Sequence, residues 1–493
     1  MGKQQETAMI VSATGAGTPL PPLESVRVRP RPPTGRTASD FAFENLAFEG
    51  GGAKGYAYIG AIQVLEEEGI YPDNVRRVAG TSVGSMFALL ASTGCSTDYM
   101  LEKVPADIES LAKDGSGGQF LSFARAARRR GMHPGQRLYD FLGSILEDTT
   151  GSADCTFAQL LERCGRELCI PVTNVTRMMT EFCHLKTTPN MPVRVATRMS
   201  MSLPVMLQPV NLLTGLGRLV DPSPEVYVDG GLLCNNPTHV FDGWWLSLDP
   251  KDSFLRRLRP LERAAEHYPR SSRFYPANTR TLGFTLFADE ENDITRTWLA
   301  PGAVPPARPD TPAAHRANQK ERAEAATRAV QAPVQRVLDA LDANDIDSDG
   351  RISASELASA ITGVDRDDLL NVFGSADSAE IFAKVNTDGS DTIEFGELLA
   401  FLETIGLDIT TQLVGFPARP PRNTLEFAMN MLEAVNRDLA RSTQGLGDRD
   451  RTIPINTDYI GTTTFDLTQE DLNFMVATGR QHAKAFLDAR RGR

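Results

Sequence analysis

The 493-residue sequence lacks any uninterrupted apolar run near the ~18–20 residues that cross a bilayer, so no transmembrane helix is expected. Its opening stretch, MGKQQETAMIVSATGAGTPLPPLESVRVRPRPP, has no apolar h-region, which argues against a secretory signal. Gly2 stands where myristoylation needs it, but Glu6 occupies the position where that signal wants Ser or Thr. The six cysteines, Cys95, Cys155, Cys164, Cys169, Cys183 and Cys234, have neither metal-type spacing nor the density of a disulfide framework. They read as free thiols of a reducing compartment. A large basic field and an aromatic–basic repeat are also missing, which excludes nucleic acid as a partner. Glycine and proline, 40 and 31 residues, fall well short of collagen-like or low-complexity content. What remains is a globular cytoplasmic protein, at most peripheral at membranes. Its length admits about three folding units, or one large α/β domain with insertions.

The formal net charge is −12, and its location matters more than its size. Residues 339–408 carry 17 acidic against 3 basic side chains, while the rest of the chain stands at +2. One acidic segment in a near-neutral body argues for a cation-binding module. Composition places the boundaries. Residues 1–40, rich in Pro, Ser, Thr and Arg, read as a disordered tail. Residues 41–300 form the first segment of a body, 301–329 a linker, 330–408 the acidic module, and 409–423 a second linker. The body closes over 424–493. There, Leu425, Ala428, Met429, Leu432, Val435 and Leu439 share a helical face, and RTIPINT (451–457) reads as a strand. Thr468 with Asp471 forms a capping-box pattern that opens a last helix. Such a strand and helix cannot bury their own apolar faces, so they should dock back onto the body.

Within the acidic module, Asp345, Asp347, Asp349, Gly350, Arg351 and Glu356 occupy the positions of a twelve-residue calcium loop. Oxygen ligands fall at positions 1, 3, 5 and 12, the Arg351 carbonyl at 7, and glycine at the sharp turn. Ile352 would bridge to a partner loop. Asn386, Asp388, Ser390, Thr392 and Glu397 repeat the pattern imperfectly. Asn386 replaces the first Asp, and Asp391 takes the turn position normally given to Gly. The second loop should therefore bind more weakly, with Asp391 entering the left-handed region at some cost. With amphipathic helices flanking both loops, the segment resembles a calmodulin-type EF-hand pair, which implies Ca2+ as a regulatory ion.

Two motifs in the body carry chemistry. FAFENLAF (41–48) reads as a strand that leads into Gly50, Gly51, Gly52, Ala53, Lys54 and Gly55, then into an apolar helix. Glycines at such a junction let backbone N–H groups approach an anion, helped by the helix N-terminus. The same residues satisfy the G-x-G-x-x-G dinucleotide pattern, but Lys54-Gly55 rules out a P-loop. Thirty residues on, a strand runs into Gly80-Thr81-Ser82-Val83-Gly84 and another helix. This is the nucleophile-elbow context, in which small residues let a Ser hydroxyl stand exposed at a helix N-terminus. The dinucleotide pattern alone does not anticipate this second element. A Ser needs a base, and Val226-Tyr227-Val228-Asp229-Gly230-Gly231 offers an acid at a strand end.

These three signatures, in this order, resemble a patatin-like phospholipase over about 41–300 and 424–490. Segments Ser202-Leu203-Pro204, 451–457 and 461–467 are similar to that family's pattern as well. The resemblance implies a three-layer α/β hydrolase with a mostly parallel central sheet, interrupted by the all-α EF-hand module. It further implies Ser82 as nucleophile, Asp229 as its base, Gly51, Gly52 and Ala53 as oxyanion donors, and Lys54 as the loop's basic residue. No metal enters the chemistry. The rival is a Ser–Asp–His triad, for which His239, His267 or His482 qualifies by position. The expected activity is cleavage of fatty acyl esters of lipids through an acyl-enzyme, at a lipid or membrane surface. Two other readings stay open: a non-catalytic calcium-binding scaffold, and an esterase or thioesterase of the same mechanism on soluble substrates.

Fainter signals remain. Arg125, Arg128, Arg129 and Arg130 form a short basic run, read either as a solvated helix face or as contact with anionic lipid. Met199, Met201 and Met206 with Leu203 and Leu207 suit an acyl pocket or ordinary core.

Overall fold

The computed structural model describes residues 10–12, 19–34, 40–105, 108–112, 130–213, 224–291, 303, 305–343, 351–404, 421, 427, 430–431, 433–435, 437–439, 446–462, 464 and 466–491. Two compact units emerge: Met1–Thr311 with Arg419–Arg493, and Pro312–Ala418. In chain order the described strands are β1 (Ile10–Ser12), β2 (Asn45–Phe48), β3 (Arg77–Gly80), β4 (Gly131–His133), β5 (Glu167–Asn174), β6 (Met179–His184) and β7 (Val205–Leu207). They continue with β8 (Val210–Leu213), β9 (Glu225–Val228), β10 (Thr281–Phe287), β11 (Arg351–Ser353), β12 (Thr392–Glu394) and β13 (Thr452–Asn456).

Nine strands of the first unit form one sheet in the order β1-β8-β9-β5-β3-β2-β10-β13, with β6 also paired to β5. The block β5-β3-β2-β10-β13 is parallel throughout, whereas β6 and β9 run against β5. Every residue of β2 and β10 is buried, as a parallel sheet covered on both faces requires. Phe48 of β2 stacks on Phe284 of β10 with ring centroids 4.9 Å apart. This is an α/β fold with a mostly parallel central sheet.

The register of β2 and β3 sets up the site. Phe48 pairs with Gly80, the last residue of each strand, so the loops that follow begin level at one edge of the sheet. Each loop feeds a helix, Ala57–Glu67 after β2 and Val83–Thr93 after β3.

The closing segment completes the sheet. β13 pairs in parallel with β10 from Gly283 opposite Thr452 onward, so the whole second unit is inserted between two neighbouring strands. The last helix, Gln469–Arg491, crosses the helix Ala57–Glu67 at a pair of glycines. A Cβ on Gly60 would lie 1.8 Å from the Val476 carbonyl oxygen, and one on Gly479 would lie 1.9 Å from that of Ala57. Only hydrogen side chains allow that approach. Thr468 and Asp471 cap this helix reciprocally, Thr468 N–H to Asp471 Oδ2 at 2.9 Å and Asp471 N–H to Thr468 Oγ1 at 3.4 Å. Of the six apolar positions predicted to share a helical face within 424–440, Leu425, Ala428, Met429 and Leu432 lie outside the described residues. Val435 is exposed.

Two sequence expectations need correction. Residues 19–34 are not a free tail. Val28 N–H donates to the Asp148 carbonyl at 2.9 Å, Arg31 Nε to the Gly94 carbonyl at 3.0 Å, and Arg163 reaches the Pro21 carbonyl at 2.7 Å. Proline-rich extended chain needs no secondary structure of its own when a neighbour supplies its hydrogen bonds. Likewise, the stretch assigned to the first linker is helical from Pro312 to Asp342. Pro312 occupies the first helical position, where a missing N–H costs nothing, and the Ala-, Glu-, Lys- and Arg-rich run behind it favours helix.

Among the described residues the second unit holds that helix and four shorter ones, Ala354–Thr362, Arg366–Phe373, Ser378–Val385 and Phe395–Thr404. Their apolar faces meet in a core of its own that includes Val337, Leu357, Phe373, Ile381 and Phe401. β11 and β12 pair antiparallel with Ile352 opposite Ile393. Asp345, Asp347, Asp349 and Gly350 lie outside the described residues. In the second loop the left-handed residue is Gly389 (φ +74°) and not Asp391, since glycine enters that region without Cβ strain.

Candidate active site

Ser82 sits between β3 and the helix Val83–Thr93 with φ 53° and ψ −130°. For a residue with a side chain this conformation costs ~1–3 kcal/mol, and it persists because the surroundings fix it. Gly80 and Gly84 are part of that fixing. A Cβ on Gly80 would stand 2.1 Å from the Gly84 carbonyl oxygen, and one on Gly84 would stand 2.5 Å from those of Phe48 and Glu49. The turn is therefore compressed against the end of β2, which pushes the serine outward.

Asp229 follows β9, whose last residue Val228 pairs with Thr173 of β5. Its Oδ2 accepts the Ser82 hydroxyl at 2.8 Å, and its Oδ1 accepts the Gly231 N–H at 2.7 Å. The carboxylate is buried while Ser82 is half-exposed. Burial drives the Asp229 pKa up to about 7, against the lowering pull of the Gly231 and Ser82 hydrogen bonds. A carboxylate near neutrality is a far better proton acceptor than one at the ordinary ~3.9. The contact is direct, with no histidine interposed. His482 bonds the Thr478 carbonyl at 2.9 Å, and His239 packs edge-on against Phe274 and Phe182.

The end of the helix Val193–Ser200 and the residues just after it hold both partners by their backbones. Ser200 Oγ accepts the Ser82 N–H at 3.0 Å and donates to the Pro171 carbonyl at 2.7 Å. The Ser202 carbonyl accepts the Asp229 N–H at 3.0 Å. Arg198, fully buried, fastens this segment by bonds to Ser202 Oγ at 2.5 Å, the Pro134 carbonyl at 2.7 Å and the Gln208 carbonyl at 3.1 Å. Met199 and Met201 belong to the apolar core. Ser200 and Arg198 escaped the sequence reading, because a Ser or Arg in a helix carries no mark of what it touches. The nearby Ser202-Leu203-Pro204 was the only signal.

The glycine loop is tied at several points. Gly50 N–H donates to the Asn235 carbonyl at 3.1 Å, and Asn235 Nδ2 reaches Glu49 Oε1 at 3.2 Å. Ala53 N–H donates to the Thr462 carbonyl at 3.3 Å, which corrects its assignment as an oxyanion donor: that hydrogen is already engaged. Gly52 adopts φ +56°, and a Cβ there would meet the Thr462 carbonyl oxygen at 2.4 Å. Gly55 continues the single 3-10 turn Gly52–Tyr56 into the first helix. Lys54 is not presented to solvent. Its ammonium is buried in an ion pair with Glu291 and donates to the Leu286 carbonyl at 3.2 Å. Glu291 in turn accepts the Thr462 N–H at 3.2 Å and hydroxyl at 2.9 Å. Lys54 therefore clamps the loop to the closing segment.

Residues 46–242 match the model of the family described as patatin-like phospholipase. An uncharacterized protein of Acanthamoeba polyphaga mimivirus is 31% identical over 210 residues, 42% of this chain and 65% of that protein. A probable lipid hydrolase of Invertebrate iridescent virus 6 is 21% identical over 198 residues, 40% of this chain and 63% of that protein. The matches thus span less than two thirds of the length of these relatives. Among solved structures, VipD from Legionella pneumophila aligns over 94% of this chain and 70% of its own at 15% identity, with a TM-score of 0.40. No helix among the described residues is long and apolar enough to cross a membrane.

Proposed function

We propose that the protein is a lipid acyl hydrolase in which Ser82 is the nucleophile and Asp229 its base. The observation that carries this reading is the 2.8 Å hydrogen bond from Ser82 Oγ to a buried Asp229 carboxylate at a strained strand-to-helix turn. Asp229 takes the hydroxyl proton as the serine oxygen attacks the ester carbonyl. The alkoxide of the leaving alcohol departs with that proton, and water, deprotonated by the same carboxylate, clears the acyl-enzyme. The amides of Gly51 and Gly52 are assigned to the developing oxyanion. The family match supports lipid esters as the substrate class.

The inserted unit is proposed to bind Ca2+ as a switch, outside the chemistry. The antiparallel pairing of Ile352 and Ile393 supports a paired-loop arrangement. The donor set is all oxygen, as a hard cation requires. In the second loop, Asn386 Nδ2 donates to the carbonyls of Ser390 at 2.6 Å and Thr392 at 3.3 Å. Glu397 accepts the N–H groups of Glu394, Thr387 and Asp388, which hold its carboxyl down to about 2. With these bonds and the neutral Asn386 at its first position, the second loop is assigned the weaker site. Within the first unit, Thr311 Oγ1 donates to Asp471 Oδ1 at 2.7 Å, and Asp471 caps the helix that crosses Gly60.

The test is fatty acid release from phospholipid vesicles by the wild type and Ser82→Ala, each with Ca2+ and with chelator. Release that vanishes in the variant supports the dyad, and release lost with chelator supports the switch. Wild-type inactivity on vesicles together with activity on a small chromogenic ester would replace the lipid by a soluble substrate.

A further inference from the structure

Behind the Asp229 turn lies a cavity of about 220 Å3 whose chemistry the hydrolytic site does not use. Cys234, Asn235 and Asn236 form one wall, and Asn235 is the residue whose carbonyl holds the Gly50 N–H. Arg270 and Arg273 line it as well, and among the described residues no Asp or Glu does. Among the described residues neither arginine forms an ion pair, and Arg273 Nε is buried with no hydrogen-bond partner. Asp242 and Asp448, whose charges act on Arg270, are committed elsewhere. Asp242 accepts both terminal nitrogens of Arg451 at 2.7 Å, and Asp448 accepts its Nε at 2.9 Å.

The guanidinium of Arg273 is stacked and so oriented before any ligand arrives. Its carbon lies 4.4 Å from the Tyr268 ring centroid and 4.7 Å from that of Trp245. Covered faces leave the edge, which carries the N–H fork, to meet an acceptor. Burial and the neighbouring arginines keep His239 neutral, so the positive charge here belongs to the two guanidinium groups.

We propose that this cavity is a binding site for a phosphate group, held by Arg270 and Arg273 with Asn236 beside them. Two cations, an unsatisfied buried donor, an acid-free lining and aromatic walls match a phosphate ester with an apolar substituent more closely than a carboxylate or a neutral ligand. Exposed Leu255 (68%), Leu261 (78%) and Tyr275 (73%) on the same stretch of chain favour a phospholipid headgroup over free phosphate. As the headgroup site of the hydrolase, the inference rests on the reading of Ser82. As a phosphate site it does not.

Calorimetric titration of the full-length Ser82→Ala protein separates the two, since no turnover enters the readout. The probes are inorganic phosphate and monomeric dihexanoyl phosphatidic acid. Saturable binding is expected, weakened at least tenfold by Arg270→Gln and by Arg273→Gln but not by Arg256→Gln, a cation outside the cavity. Melting curves report folding of each variant. If Arg273→Gln does not fold, Arg270→Gln, whose side chain forms none of these stacks, makes the same test. Tighter binding of the lipid than of inorganic phosphate assigns the headgroup, and equal binding assigns free phosphate. Absence of saturable binding, or equal weakening by Arg256→Gln, overturns the site.

Discussion

Ser200 Oγ accepts the backbone N–H of Ser82 at 3.0 Å, so the residue that shapes the nucleophile's turn lies 118 positions away in the sequence. Removing it should leave a buried donor unsatisfied, at ~1–3 kcal/mol, inside a turn already held in a strained conformation. Ser200→Ala is therefore expected to lower kcat for ester hydrolysis by about ten- to a hundredfold with little change in KM. Steady-state kinetics check it. Unchanged kcat would mean that the flanking glycines hold the turn unaided.

Asp229 gives the pH dependence a definite sign. Burial pushes its carboxyl up to about 7, and in the proposed dyad the ionised form is the base. Activity should fall about tenfold per pH unit below that point and level off above it. Stability should respond in the opposite sense. A carboxyl raised above its unfolded value favours the folded state fully below about pH 4, and that contribution is lost as pH rises through about 7. Rate profiles and melting temperatures from pH 5 to 9 test both limbs, and Asp229→Asn should abolish the first and flatten the second.

The strand–glycine–helix junctions were legible because each has a local physical cause: a strand end, residues small enough for close approach, and a helix start. Thr468 with Asp471 was legible for the same reason. What was not legible depends on partners distant in sequence. Gly60 and Gly479 look unremarkable until the two helices cross at them. Glu291 has no motif, yet it holds Lys54 and Thr462 together. The 19–34 stretch is tied to the body through Asp148, Gly94 and Arg163, partners that its composition does not report.

The clamp through Lys54 is a test of that long-range assembly. Lys54→Met would break the buried Lys54–Glu291 pair by removing one partner, a change that typically costs ~3–5 kcal/mol. The expected result is a lower denaturation midpoint together with loss of esterase activity, since Thr462 lies over Gly52. Adding Glu291→Gln to the same chain should recover part of the stability, because the uncompensated charge is then gone. If the double variant is no more stable than Lys54→Met, burial of the glutamate charge is not what the lysine offsets.

Asn386 offers the sharpest test of the inserted unit. Its amide nitrogen donates to the carbonyls of Ser390 and Thr392, while its Oδ1 accepts the Gly389 N–H at 2.8 Å, so one neutral side chain ties the loop from within. Asn386→Asp removes the donor and turns a carboxylate toward the same carbonyls. Without metal these acceptors repel, and the unit should melt at a lower temperature in chelator than the wild type. With Ca2+ the repulsion becomes coordination, because a hard cation takes carboxylate and carbonyl oxygens together. Titration calorimetry should then show the Ca2+ stoichiometry rising from one site toward two, with the second at least tenfold tighter than in the wild type. If stoichiometry and chelator stability both stay unchanged, Asn386 is not the tie, and the loop is closed by Glu397 alone.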